Sequence, residues 1–227
     1  QDHKPISIQE RAFRVNHILI PICTALGATY SVLPSREAAR TFYSEEHWPI
    51  GYTIEEPRQQ HTISLPINFA SKGVQLPGFS PTLRAMELVK DMFDEAPIVI
   101  TLRECYIDER NSGNAAWLKF YHAKRHERPI VFVRDTKRWK EPFDAPVCEA
   151  AALDMDVRLA LYQIAHVNLG VTNGPMALNI FSQRPYIIYK YWNDATPATS
   201  RMLEKWGLPR GSQYSWALDS QRLVWES

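Results

Sequence analysis

Four clusters of polar residues stand close behind apolar runs, and their types suit the binding of an anion. Arg103-Glu104 follows Ile98–Leu102, and Arg110-Asn111-Ser112 comes just ahead of Asn114. Arg134-Asp135-Thr136 follows Ile130–Val133, and Thr172-Asn173-Gly174 follows Val167–Val171. In a parallel sheet the carboxyl ends of such runs open on one edge, where open α/β sheets hold their ligands. Guanidinium groups grip phosphate oxygens in pairs, so two or three arginines beside a helix start suit a diphosphate. Each cluster also has a plainer reading. Arg103 and Glu104 can pair with each other, Asp135 can cap a turn, and Arg110 can be solvated.

The stretch Val167 to Tyr191 reads as a buried strand, a tight polar turn, a helix opened by Pro175 and a second strand at Tyr186–Tyr189. Proline suits the first helical position, where its missing N–H would be unbonded anyway. Gly174 permits a sharp reversal, and Asn173 tolerates unusual backbone angles. The N–H groups from Met176 onward are then expected to point freely out of a helix N-terminus at a strand's carboxyl end, a ready anion site. The plainer reading is a βαβ turn that needs Asn-Gly for geometry alone.

Other chemistry is poorly served. The seven histidines show no paired ligand spacing, so no metal site is expected. There is no Gly-rich phosphate loop ending in Lys-Ser/Thr, no GxGxxG and no GxSxG elbow, which disfavours the enzymes built on those motifs. Asp154 and Asp156 flank a helix start and read as caps. Cys23, Cys105 and Cys148 are too scattered for a disulfide framework; each reads as a small buried residue, and together they suggest a reducing, cytoplasmic setting.

The elements that must position these groups follow from periodicity. Arg11–Leu26 carries helical spacing interrupted by Pro21, Thr29–Leu33 reads as a strand, and Ser35 caps a helix over 36–42. From Tyr43 to Ser80 the pattern lapses into a long irregular connection with Trp48 and Tyr52 as anchors, and only Thr62–Leu65 and Ile67–Phe69 read as short strands. Pro81 opens an amphipathic helix to Phe93, and a domain boundary is expected at 95/96. Beyond it, strands at Ile98–Leu102 and Ile130–Val133 alternate with helices at Asn114–His126 and, capped by Asp154, Met155–His166. Cys148–Leu153 reads as a helical turn, and Thr199–Trp206 as a helix capped by Thr196 or Thr199 and closed by Gly207. A last strand falls at Leu223–Trp225. Strands alternating with helices argue for βαβ crossovers and a parallel sheet.

With 227 residues, 45% apolar and 22% charged, the chain is long enough for one large α/β domain or two small ones. A net charge of +1 leaves no electrostatic footprint for nucleic acid. No apolar run reaches the ~20 residues of a membrane span. The chain opens on Gln1 with no strand before Arg11, so either a first strand is expected upstream or this half is reduced.

The run VNLGVTNGPMALNIFSQRPYIIYK resembles the C-terminal-half signature of two-domain, GT-B-like sugar-nucleotide glycosyltransferases, especially the heptosyltransferase-like group. PIVITLRE, RNSGNAAWLKF and PIVFVRDT resemble the first two strands and the Trp-containing helix of the same half, and FRVNHILIPICTALGATYSVLP resembles part of the N-terminal half. The pattern departs from that group at Ala177, where His is usual, and at Thr172-Asn173, where Asp is frequent. The resemblance implies a GT-B-like α/β fold, with a Rossmann-type parallel sheet over 96–227 and an abbreviated N-terminal α/β portion over 1–95. It implies transfer of a sugar, without metal or other cofactor, from a nucleotide-sugar donor to an acceptor glycan or other hydroxyl compound. In that reading Gly174, Pro175 and Met176 present the helix start to the diphosphate, and Arg103 and Arg110 neutralise it. Asn111, Thr172 and Asn173 help orient the donor, Lys190 is a further cation, and Glu104 is the base. Two rivals remain on the same scaffold: a sugar-nucleotide epimerase or hydrolase, and a non-catalytic degenerate transferase acting as a binding module.

Overall fold

IVIT at 98–101 and IVFV at 130–133 are short runs of β-branched and aromatic residues, the composition of strands buried on both faces. In the computed structural model, which describes residues 15–25, 27, 64–76, 78–105, 111–191, 201–205 and 207–226, they lie side by side in one parallel sheet. Strands β1 (Ile98–Thr101), β2 (Ile130–Val133), β3 (Val167–Val171), β4 (Tyr186–Tyr191) and β5 (Gln221–Glu226) run all parallel in the order β2-β1-β3-β4-β5. The order makes β1 and β3 neighbours although β2 intervenes in the chain. Their junction is therefore a topological switch point, the place where doubly wound sheets open a crevice.

Register assigns the faces. Ile98, Ile100, Ile130, Phe132 and Leu169 share one face and pack against Trp117, Phe120 and Tyr121 of the helix Asn114–Lys124. Val99, Val131 and Val133 share the other and pack under Val157, Leu159 and Leu161 of the helix Met155–Ile164. In chain order the helices are α1 (Ile20–Ala25, preceded by a π-helical turn at Val15–Leu19), α2 (Ser64–Ser71), α3 (Leu83–Lys90), α4 (Asn114–Lys124), α5 (Glu149–Leu153), α6 (Met155–Ile164), α7 (Ala177–Ile180) and α8 (Arg201–Lys205). The link β1–α4–β2 thus runs over one face, and β2–α5–α6–β3 returns over the other. Thr101 faces α6, where its Oγ1 lies 2.7 Å from the Tyr162 hydroxyl.

Helix starts follow their caps. Asp154 accepts from the N–H groups of Asp156 and Val157 at the head of α6. Asp156 does something other than cap its own helix: its carboxylate accepts from the N–H and hydroxyl of Thr82 at 2.9 and 2.5 Å. Thr82 in turn accepts from Ala85 N–H, so α3 begins at Leu83 and Pro81 stands outside it. Through Ala85 and Val89, α3 shares the core of the sheet's α6 face, although it precedes the boundary expected at 95/96. Gly207, at φ +87°, closes α8 in the left-handed conformation glycine favours, its N–H donating to the Glu204 carbonyl.

Two further expectations are corrected. Residues 64–71 form a helix rather than strands; Pro66 sits in its first turn, where a missing N–H removes no helical bond. The helix after β3 is one turn, Ala177–Ile180, and Pro175 stands in the turn before it rather than opening it. The readings at 29–33, 36–42 and 43–63, the cap at Thr196 or Thr199, and Arg110 lie outside the described residues. Among the described residues, no helix is long and apolar enough to cross a membrane.

Candidate functional site

The carboxyl ends of β1, β2 and β3 open on one edge and bring residues of all four polar clusters together. Beyond β1, Leu102 N–H still donates to the Val133 carbonyl, carrying the ladder one residue further. The next residues are held from the side. Arg103 N–H donates to Ser112 Oγ and Ser112 N–H to the Arg103 carbonyl, both at 2.9 Å. Asn111 repeats the pattern with Cys105, its amide accepting from Cys105 N–H and donating to the Cys105 carbonyl at 2.8 Å each. Asn111, expected to orient a ligand, thus closes the neck of the loop after β1.

From that neck Arg103 reaches across the switch point. Its Nη1 donates to the Thr172 carbonyl at 2.8 Å, tying the end of β1 to the end of β3. Arg103 Nε and Thr172 Oγ1 are both buried and, among the described residues, without a hydrogen-bond partner. Buried polar atoms are rarely left so, and those that are call for an explanation.

Glu104 points the other way. Its carboxylate accepts from Arg134 Nε and Nη2, Asn114 Nδ2 and Asp135 N–H, the closest contact being 2.7 Å. Burial pushes this carboxyl up, but the Arg134 guanidinium, the Asn114 amide and the Asp135 N–H together hold it below its ordinary value. Arg134 also donates to the Glu141 carbonyl and lies 4.8 Å over the Phe143 ring. An ionised carboxylate engaged by four donors braces two strand ends. It is not the free base expected.

The turn after β3 is likewise satisfied from within. Asn173 Oδ1 accepts from Met176 N–H at 2.8 Å, Ala177 N–H donates to the Gly174 carbonyl, and Leu178 N–H to the Pro175 carbonyl. The N–H groups from Met176 to Leu178 are therefore not free for an anion. Met176 is fully buried, its sulfur resting over Gly170 of β3. Gly170 was legible only as an apolar-strand glycine. A Cβ there would lie 2.9 Å from the Thr101 carbonyl oxygen and 3.2 Å from Met176 Sδ, so its smallness sets how closely the turn settles on the sheet. Gly174, by contrast, has open space around its absent side chain and no positive φ.

Between these ends lies a cavity of about 170 Å³, lined among others by Arg103, Asp135, Thr136, Arg158, Asn173 and Gly174. Arg158 was not anticipated. It sits in α6, only 3% exposed, and donates to the carbonyls of Ala151 at 2.6 Å and Arg134 at 3.4 Å. Its one sequence signal is a lone cation inside an apolar helix. Lys190 is buried on β4, opposite Trp225 of β5, and does not line the cavity. A larger depression of about 370 Å³ lies at the amino edge beside Ile98, Lys124 and His166. Ligands of such sheets bind at the carboxyl edge, so the smaller cavity is the better candidate.

Cys148 is buried and its thiol is pushed up by that burial, whereas Cys23 and Cys105 are only half-buried. Among the described residues, no group of three or more His, Cys, Asp or Glu is placed to hold a metal ion. No protein-family model, curated protein or solved structure matches the chain.

Proposed function

We propose that this chain carries the donor-binding half of a GT-B-like, metal-independent glycosyltransferase working in a cytoplasmic setting. The observation that carries the reading is the Arg103 bridge to the Thr172 carbonyl across the β1/β3 switch point, with a cationic cavity beneath it. A nucleotide-sugar would seat its diphosphate there, with Thr172 and Asn173 beside it and Arg110 as a further cation. In the reaction the bond from the sugar's anomeric carbon to the diphosphate oxygen breaks and a bond to the acceptor oxygen forms. The acceptor's hydroxyl proton passes to solvent, and the nucleoside diphosphate departs with the electrons of the broken bond. Guanidinium groups would stabilise the negative charge that grows on the leaving group, a contribution that increases toward the transition state.

A second reading, a binding module without catalysis, is favoured by Glu104, whose carboxylate is committed to Arg134. The test is unfolding of the purified protein with UDP-, GDP- and ADP-sugars in the presence of EDTA, followed by turnover with hydroxyl acceptors. A donor at a hundred times its Kd should add about 2.7 kcal/mol of stability. Binding with acceptor-dependent loss of donor supports the transferase, and binding without turnover supports the module. Epimer or free sugar formed without acceptor supports the epimerase or hydrolase rival. No stabilisation by any donor overturns the nucleotide-sugar reading.

A further inference from the structure

We propose that Arg158 is a phosphate-binding residue, its buried charge completed by a phosphate ester or diphosphate seated in the β1/β3 cavity. The identity of the remaining ligand rests on the donor reading above; the phosphate site does not.

Two arginines are equally buried at this edge, each 3% exposed, and they are provided for differently. Arg134 has the Glu104 carboxylate at 2.7 Å. Arg158 has two backbone carbonyls and, among the described residues, no carboxylate ion pair. A guanidinium taken out of water without an opposite charge is costly, and carbonyl dipoles offset only part of that cost. Its position adds to the imbalance. Arg158 is the fourth residue of α6, near the end of the helix whose dipole disfavours cations.

The acidic groups nearby are engaged elsewhere. Asp154 caps α6 through its Oδ1, and Asp156 accepts from Thr82. Asp135 lines the cavity, but its Oδ1 accepts from Lys137 N–H and it makes no ion pair with Arg158. On the same edge Arg103 Nε and Thr172 Oγ1 lack partners among the described residues. Two guanidiniums lining a small cavity match a tetrahedral oxyanion, and the Thr172 hydroxyl lies next to its lining residue Asn173. At about 170 Å³ the cavity is below the roughly 300–1,000 Å³ of sites that enclose a drug-sized ligand, so a phosphate or diphosphate fits and the rest of the ligand projects outward.

The test compares wild type, R158Q and R158K by thermal unfolding and calorimetric titration with inorganic pyrophosphate at matched ionic strength, using chloride as the control. Expected is stabilisation of wild type by pyrophosphate, with affinity falling on the order of tenfold to a hundredfold in R158Q. In phosphate-free buffer R158Q should be at least as stable as wild type, because it removes an uncompensated charge; a merely structural arginine would give the opposite sign. If R158Q does not fold, R158K decides, since it keeps the charge but loses the planar fork and should bind pyrophosphate measurably more weakly. Equal pyrophosphate affinity in wild type and the folded variant, or none in wild type, overturns the proposal. Nucleoside diphosphates and glucose 1-phosphate, run as separate arms, identify the source of the phosphate. Pyrophosphate bound through Arg158 with no nucleotide-sugar bound refutes the donor reading alone. Nucleotide-sugar and pyrophosphate both bound equally well by R158Q refute this proposal alone.

Discussion

The Arg134 guanidinium and the Glu104 carboxylate meet at 2.7 Å with side chains only 4% and 3% exposed, bracing the carboxyl end of β1 against that of β2. Removing one member of a buried pair leaves the other charged in a poor solvent. E104Q is therefore expected to lose about 3–5 kcal/mol at neutral pH, and an E104L/R134M double variant to recover most of it. Urea denaturation of the two variants and wild type checks this; a loss below about 1 kcal/mol in E104Q would show that the pair contributes little.

The same pair sets an acid limb. Glu104 titrates below its ordinary value of 4.5 in the folded chain, so its contribution is complete above that value and fades as pH falls through the lower folded value. The stability difference between wild type and E104Q should be constant from pH 7 to about 5 and shrink below that. Denaturation curves taken at intervals down to pH 3 measure it, and a difference that grows on acidification contradicts the sign.

Gly170 and Gly174 should respond oppositely to alanine. A methyl at 170 meets the Thr101 carbonyl at 2.9 Å, a backbone atom fixed by the sheet, so G170A is expected to cost about 1–3 kcal/mol by overpacking. G174A meets nothing within 4 Å at an ordinary φ and should be neutral or slightly stabilising. Thermal unfolding of the two variants, with G170A no less stable than G174A as the contrary result, decides whether the glycine that matters is in the strand or in the turn.

Those two glycines show where local pattern stops being informative. The parallel strands were legible because runs such as IVIT and IVFV are strand-like wherever they stand, and Asp154 was legible because a cap acts on its own helix. Residues 64–71 were not, since Leu65, Ile67 and Phe69 alternate as in a strand and only Pro66 in a first turn reconciles them with a helix. At the site, convergence of the strand ends followed from parallel topology alone. The choice of partners did not. Glu104 takes Arg134 rather than Arg103 because β2 lies beside β1, and Asn173 caps the N–H of Met176 that an isolated turn would leave open. Arg158 was hidden by its helix, where apolar neighbours mask one inward-lying cation.

Thr172 offers a separation of folding from binding. Its Oγ1 is buried without a partner among the described residues, and its carbonyl already holds Arg103. Replacing it by valine removes an unsatisfied hydroxyl while keeping the branched shape, so T172V should gain up to about 1 kcal/mol of unliganded stability or stay level. If the hydroxyl serves a phosphate oxygen, the same variant should bind nucleoside diphosphate about tenfold more weakly. R103K should weaken that binding by a similar factor, because an ammonium cannot both hold the Thr172 carbonyl and present a fork to the ligand. Calorimetric titration beside urea unfolding measures both quantities. Unchanged affinity in T172V and R103K would place the anion elsewhere than at the β1/β3 edge.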